Sequence, residues 1–136
     1  MTTELAEKVA VRAIILVDHN KVLLGKRARG VGIGQYALIG GKPDEGESEE
    51  QGIRRETGEE VGLGLRNLVF WKDEANDKTI PGQTWRTYYF IGEAEGQVKL
   101  KLDEVEEVVE IDRRNLKDFD IAFGHREILE EFFGLR

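Results

Sequence analysis

Cysteine is absent from this chain, and histidine occurs only twice. Without thiols there is no disulfide, no thiolate nucleophile and no zinc–sulfur site. Long apolar runs are missing as well. The longest clear one, AIILV at 13–17, has the length of a strand and falls far short of the roughly 18 residues that span a bilayer. The N-terminal MTTELAEKV carries two acids and no apolar stretch, so it does not read as a signal peptide. A cytoplasmic protein with no membrane partner is the expectation. A surplus of positive charge is also lacking: the net charge of −7 argues against nucleic acid polymers as partners, because phosphate-driven binding needs a basic face. A phosphorylated small molecule remains compatible, provided metal cations stand between the anions.

What is present fits one globular domain. The 136 residues are 40% hydrophobic and 35% charged, enough to bury a core and too few for two domains. VAVRAIILV (9–17) reads as a strand that becomes buried, and KVLLGKR (21–27) as its hairpin partner across the turn DHN. RARGVGIGQ (27–35) is a glycine-rich loop; its GVGIG lacks the spacing of a dinucleotide fingerprint. YALIGG (36–41) is a short strand ending in two glycines. From Ser48 the period changes to that of a helix of about 13 residues. Ser48 and Gln51 form a capping-box pattern, Ile53, Thr57 and Val61 make a thin apolar stripe, and Gly62 stands at the C-cap. LRNLVFWKDE (65–74) and TWRTYYFIGEA (84–94) read as strands on either side of the turn NDKTIPGQ. QVKLKL (97–102) and EEVVEID (106–112) are shorter β candidates, and an amphipathic helix closes the chain within 123–136. This order predicts a mixed sheet flanked by helices, an α/β sandwich.

Residues 41–63, GKPDEGESEEQGIRRETGEEVGL, hold eight carboxylates in 23 positions. On the expected helix Glu56, Glu59 and Glu60 share a face, with Cβ atoms about 5–6 Å apart. Left alone, such acids repel; a hard divalent cation reverses the sign. An all-oxygen set of this kind suits Mg²⁺ or Mn²⁺ and not zinc. Arg55 can hold one of the carboxylates, Glu47 can reach Arg55, and the backbone at Gly40–Gly41 can offer a carbonyl to the metal. The plainer alternative is a solvated acidic helix face. No D-x-D-x-D-G calcium loop accompanies the acids.

The stretch resembles the Nudix box, G-x5-E-x7-R-E-U-x-E-E-x-G-U, where U is bulky and aliphatic. Gly41, Glu47, Arg55, Glu56, Glu59, Glu60, Gly62 and Leu63 fall in register, and Thr57 is less apolar than the pattern asks. The resemblance implies a Nudix-type α/β/α sandwich and hydrolysis of a nucleoside diphosphate linked to another group. It further implies Mg²⁺, or Mn²⁺ in its place, bound by Glu56, Glu59, Glu60 and the Gly41 carbonyl, with Glu47 and Arg55 as an orienting pair. The substrate implied is a small nucleotide. A nucleoside triphosphate, damaged ones included, is favoured because the chain is compact; ADP-ribose or another nucleoside diphosphate sugar is the alternative. A third reading is a Nudix domain that senses nucleotides without turnover, and the resemblance admits a homodimer. The general base implied is either one of the box glutamates, Glu56, Glu59 or Glu60, or a residue outside the box, where DEVEE (103–107) offers Glu104 or Glu106. Arg27 and Tyr36 are the expected substrate contacts. Tyr36, Trp71, Trp85 and Phe123 either stack a base or fill the core. His19 and His125 are expected to be structural or superficial.

Overall fold

The computed structural model describes residues 7–18, 20–76 and 82–136. His19 and most of the turn before Trp85 lie outside them. Strand β1 (Lys8–Val17) runs down the middle of the sheet. It pairs in parallel with β6 (Trp85–Glu95) and antiparallel with both β2 (Lys21–Arg27) and β4 (Ile39–Gly41). The order is β3-β2-β1-β6-β5, where β3 is Tyr36–Ala37 and β5 is Gly64–Asn76. A further strand, β7 (Val105–Ile111), pairs with β2.

A central strand is buried on both faces, and this is why 13–17 reads as an unbroken apolar run. Its side chains alternate between two cores. Val11, Ala13 and Ile15 join Ile53 and Val61 of helix α1 (Glu49–Val61). Ile14 joins Leu24, Leu38 and, from helix α2 (His125–Phe132), Ile128 and Leu129. The sheet with one helix against each core is the sandwich expected from the sequence.

Helix α1 begins and ends where its side chains dictate. Ser48 accepts from the Gln51 amide at 3.1 Å, and the Gln51 side chain accepts from the Ser48 amide at 2.9 Å. Gly62 stops the helix at φ 72°, a left-handed turn that favours glycine.

One expected strand does not form. QVKLKL carries no ladder; instead the Lys99 amide donates to the Val61 carbonyl at 2.8 Å and the Lys101 amide to the Glu60 carbonyl at 3.0 Å. The last carbonyls of α1 need partners, and this segment supplies them. YALIGG is likewise split in two at Leu38.

Candidate active site

Arg55 gathers the acids around itself. Its Nε and one terminal nitrogen fork onto the two oxygens of Glu47, at 2.9 and 3.1 Å. The other terminal nitrogen donates to Glu56 at 3.1 Å and to Glu59, one helical turn on, at 3.0 Å. A further bond reaches the Lys42 carbonyl at 3.0 Å and fixes the loop after β4. Glu47 also accepts from the Asp44 amide at 2.8 Å. The Arg55 fork, followed by that amide, holds the Glu47 carboxyl below its ordinary range; in return Glu47 raises Arg55. The contact between Glu47 and Arg55 expected from the sequence is present.

Next to it stands a pair of glycines. A Cβ on Gly41 would come within 2.7 Å of the Glu56 carboxyl, so the strand end must be bare for that carboxylate to lie over it. A Cβ on Gly40, at φ 155°, would meet the Val11 carbonyl oxygen at 1.9 Å.

Glu56 and Glu60 face a cavity of about 500 Å³. Burial raises the carboxyl of Glu56 against the pull of Arg55. Burial also pushes Glu60 up to about 8, opposed by Arg12 and reinforced by Glu56 and Glu104. One carboxylate oxygen of Glu60, Oε2, is buried without a hydrogen-bond partner.

The cavity floor is set by the parallel register of β1 and β6. Lys8 pairs with Trp85, Ala10 with Thr87 and Arg12 with Tyr89, and all six line it. Five basic residues reach the wall (Lys8, Arg12, Arg27, Arg29 and Lys42) against three acids, Glu56, Glu60 and Glu104. On a chain of net charge −7, that local surplus marks a place for an anion. Lys8, Arg12 and Lys42 escape a reading by motif. Arg12 leaves a signal nonetheless: it interrupts the face of β1 that otherwise runs Ala10, Ile14.

Other expected residues divide. Arg27 lines the cavity, half-buried, with its Nε donating to the Val31 carbonyl at 2.7 Å; burial lowers its pKa. Glu104 reaches the wall from outside the box and pairs with Arg29 at 2.8 Å and Lys101 at 3.2 Å. Glu106 is exposed and stands off the wall. Tyr36 is not brought to the cavity either. Its ring packs edge-on to Phe119 at 5.2 Å within the α2 core, and its hydroxyl donates to Glu107, which raises its pKa to about 12. Trp71 packs on Phe132 away from the site, whereas Trp85 and Phe123 line it.

His125 is structural, as expected, and also borders the cavity. The Leu38 amide donates to its Nδ1 at 3.1 Å, so the neutral ring carries its proton on Nε2. Burial, with Arg12 and Arg27 nearby, holds it well below its ordinary pKa. The unfolded chain therefore takes up a proton here that the folded chain refuses. Stability from this residue is present above about pH 6.5 and is lost as pH falls, by at most about 1.4 kcal/mol per unit. His125→Asn, which keeps an acceptor for Leu38, is expected to flatten the fall in melting temperature between pH 6.5 and 5; an unchanged slope would contradict the buried neutral ring.

The family model described as NUDIX domain matches residues 6–132. The chain belongs to the NUDIX family. Over 128 residues it is 30% identical to nucleoside triphosphatase NudI of Klebsiella pneumoniae, covering 86% of this chain and 91% of that protein. Over 55 residues it is 42% identical to mouse oxidized purine nucleoside triphosphate hydrolase, covering 40% of this chain and 35% of that one. The chain thus spans about a third of the length of the curated relatives it matches first. In fold it resembles the NUDIX domain of Shewanella oneidensis NrtR complexed with ADP ribose, at TM-score 0.84 and 21% identity, covering 97% of this chain and 90% of that one.

NUDIX hydrolases generally use divalent metal ions. Among the described residues no three His, Asp or Glu side chains stand close enough to hold one as they lie. The expected convergence of three glutamates is met by two. Glu59 is not part of the cavity wall; its side chain is 51% exposed and paired with Arg55, the nearest counter-charge. Even so, the donors fit a hard cation: oxygens only, on two half-buried carboxylates whose charged form burial disfavours, one of them with a partnerless oxygen.

Proposed function

We propose that this NUDIX chain hydrolyses the pyrophosphate linkage of a nucleoside triphosphate, damaged ones included, to the monophosphate and pyrophosphate. The residues that would hold Mg²⁺, or Mn²⁺ in its place, are Glu56, Glu60 and the Gly41 carbonyl, with Glu59 joining once released from Arg55. The metal, when bound, neutralises the phosphate oxygens and activates water. The chain's own residues do the rest. Arg55 and Glu47 set the position of Glu56, and the basic wall receives the phosphates. Glu104 would be the base outside the box that accepts a proton from the attacking water, a role supported by its presence on the cavity wall, where it pairs with Arg29 and Lys101.

The observation that carries this reading is the cavity itself: five cations line one space together with Glu60, a carboxylate with one partnerless oxygen. The likeness to a nucleoside triphosphatase over most of both chains supports the triphosphate. The test is release of phosphate or pyrophosphate from a panel of nucleoside triphosphates and ADP-ribose, with and without Mg²⁺. Metal-dependent pyrophosphate release from a triphosphate is expected. Turnover of ADP-ribose alone would overturn the substrate, and tight binding without turnover of any compound would overturn the enzyme.

A further inference from the structure

Phe123 occupies a backbone conformation that its side chain disfavours. Its φ is 62°, in the left-handed region, and Gly124 follows at 74°. A bulky residue there is an outlier that the surroundings must hold in place, and such residues gather at functional sites. Its surroundings are cationic. The Arg27 guanidinium lies over the Phe123 ring at 4.7 Å from the centroid and the Arg12 guanidinium at 5.3 Å. Two like charges converge on one aromatic ring at the cavity wall, and each is desolvated enough for burial to lower its pKa.

The two guanidinium groups make few other hydrogen bonds. Arg12 gives one nitrogen to the Leu38 carbonyl at 2.9 Å, while its Nε is buried with no hydrogen-bond partner. Arg27 gives its Nε to Val31 and makes a long 3.5 Å bond to Arg29. Arg12 is also paired in register with Gly40, beside the strand end on which Glu56 rests. The ring attracts both cations through its quadrupole, which offsets part of their mutual repulsion. Planar guanidinium groups suit the oxygens of a phosphoryl group.

We propose that Arg12 and Arg27 form a paired-guanidinium clamp for one phosphoryl group of the substrate, and that Phe123 is the positioning residue that holds the pair ready. The inference rests on the phosphate-binding reading of the cavity given above, and it adds Arg12 and Phe123 to it. Phe123 need not touch the substrate. Its strained backbone places the ring where both arginines meet it.

The test uses the full chain and inorganic tripolyphosphate without added metal, with the dissociation constant measured by calorimetry. Metal-free binding separates the clamp from the hydrolase reading, since it can hold even if no nucleotide is turned over. Wild type is expected to bind. Arg12→Gln should weaken binding roughly 10-fold or more, as loss of a charge-assisted contact does. Phe123→Leu should weaken it by several-fold, in line with the loss of a cation–π contact, while Phe123→Tyr stays within about twofold of wild type because its ring face is kept. In turnover assays the leucine variant should raise KM more than it lowers kcat. Wild-type affinity in Arg12→Gln or in a folded Phe123→Leu, or no binding by wild type, would overturn the clamp. If Phe123→Leu fails to fold, Arg12→Gln together with the tyrosine variant decides.

Discussion

Glu60→Gln is expected to lower Mg²⁺-dependent turnover by about 100-fold or more, because loss of a partner one shell further out already costs about 10- to 100-fold. The same change is expected to leave the metal-free protein at least as stable as wild type. Glu60 is half-buried, has one carboxylate oxygen buried without a partner, and faces Glu56 and Glu104. Glutamine keeps the shape and an acceptor for the Gly40 amide and never takes on the charge that burial disfavours. The two effects separate in a melting experiment. Mg²⁺ should raise the melting temperature of wild type, since a ligand bound only by the folded state stabilises it, and it should do so far less for the variant. A variant with wild-type turnover and a wild-type response to Mg²⁺ would remove Glu60 from the metal site.

Gly40→Ala should produce the largest loss of stability. The added carbon would sit 1.9 Å from the Val11 carbonyl oxygen and 2.9 Å from the Arg12 Cα, both backbone atoms of the central strand. Neither can rotate away, and φ at 155° is a conformation alanine disfavours. Overpacking costs about 1–3 kcal/mol and the backbone strain about as much again. A drop in melting temperature of roughly 10–20 °C follows for a chain of this size. Gly46→Ala is the control: φ there is also positive, at 80°, but no atom lies within 4 Å, so only the backbone cost remains. Equal losses in the two variants would contradict the close approach of β4 to β1.

These outcomes depend on features that the sequence discloses unevenly. Helix α1 was legible end to end, because Ser48, Gln51 and Gly62 act within a few residues of one another. The Glu47–Arg55 pair was legible for the same reason. The unbroken apolar run of β1 likewise announced a buried strand. Contacts made at long range were not visible. Nothing local shows that Lys8, Ala10 and Arg12 lie beside Trp85, Thr87 and Tyr89, since that follows from a parallel pairing about 77 residues apart in the chain. The cationic wall was missed with it. QVKLKL carries strand-like alternation, yet the carbonyls ending α1 took its amides. Glu59 has helical spacing to Arg55 as well as to Glu56 and Glu60, and spacing does not show that one Arg55 nitrogen takes both Glu56 and Glu59 while only Glu56 and Glu60 line the cavity. Tyr36 was read by residue type alone, and the register of β3 with β2 turned it toward Phe119.

The most direct measurement is a crystal of the protein with Mn²⁺ and a non-hydrolysable nucleoside triphosphate, read by anomalous scattering. An anomalous peak within about 2.0–2.3 Å of carboxylate oxygens of Glu56 and Glu60, shared with phosphate oxygens, and with Glu59 swung away from Arg55, is the expected result. A nucleotide bound in the cavity with no metal at those glutamates, or manganese bound elsewhere on the acidic surface, would contradict it.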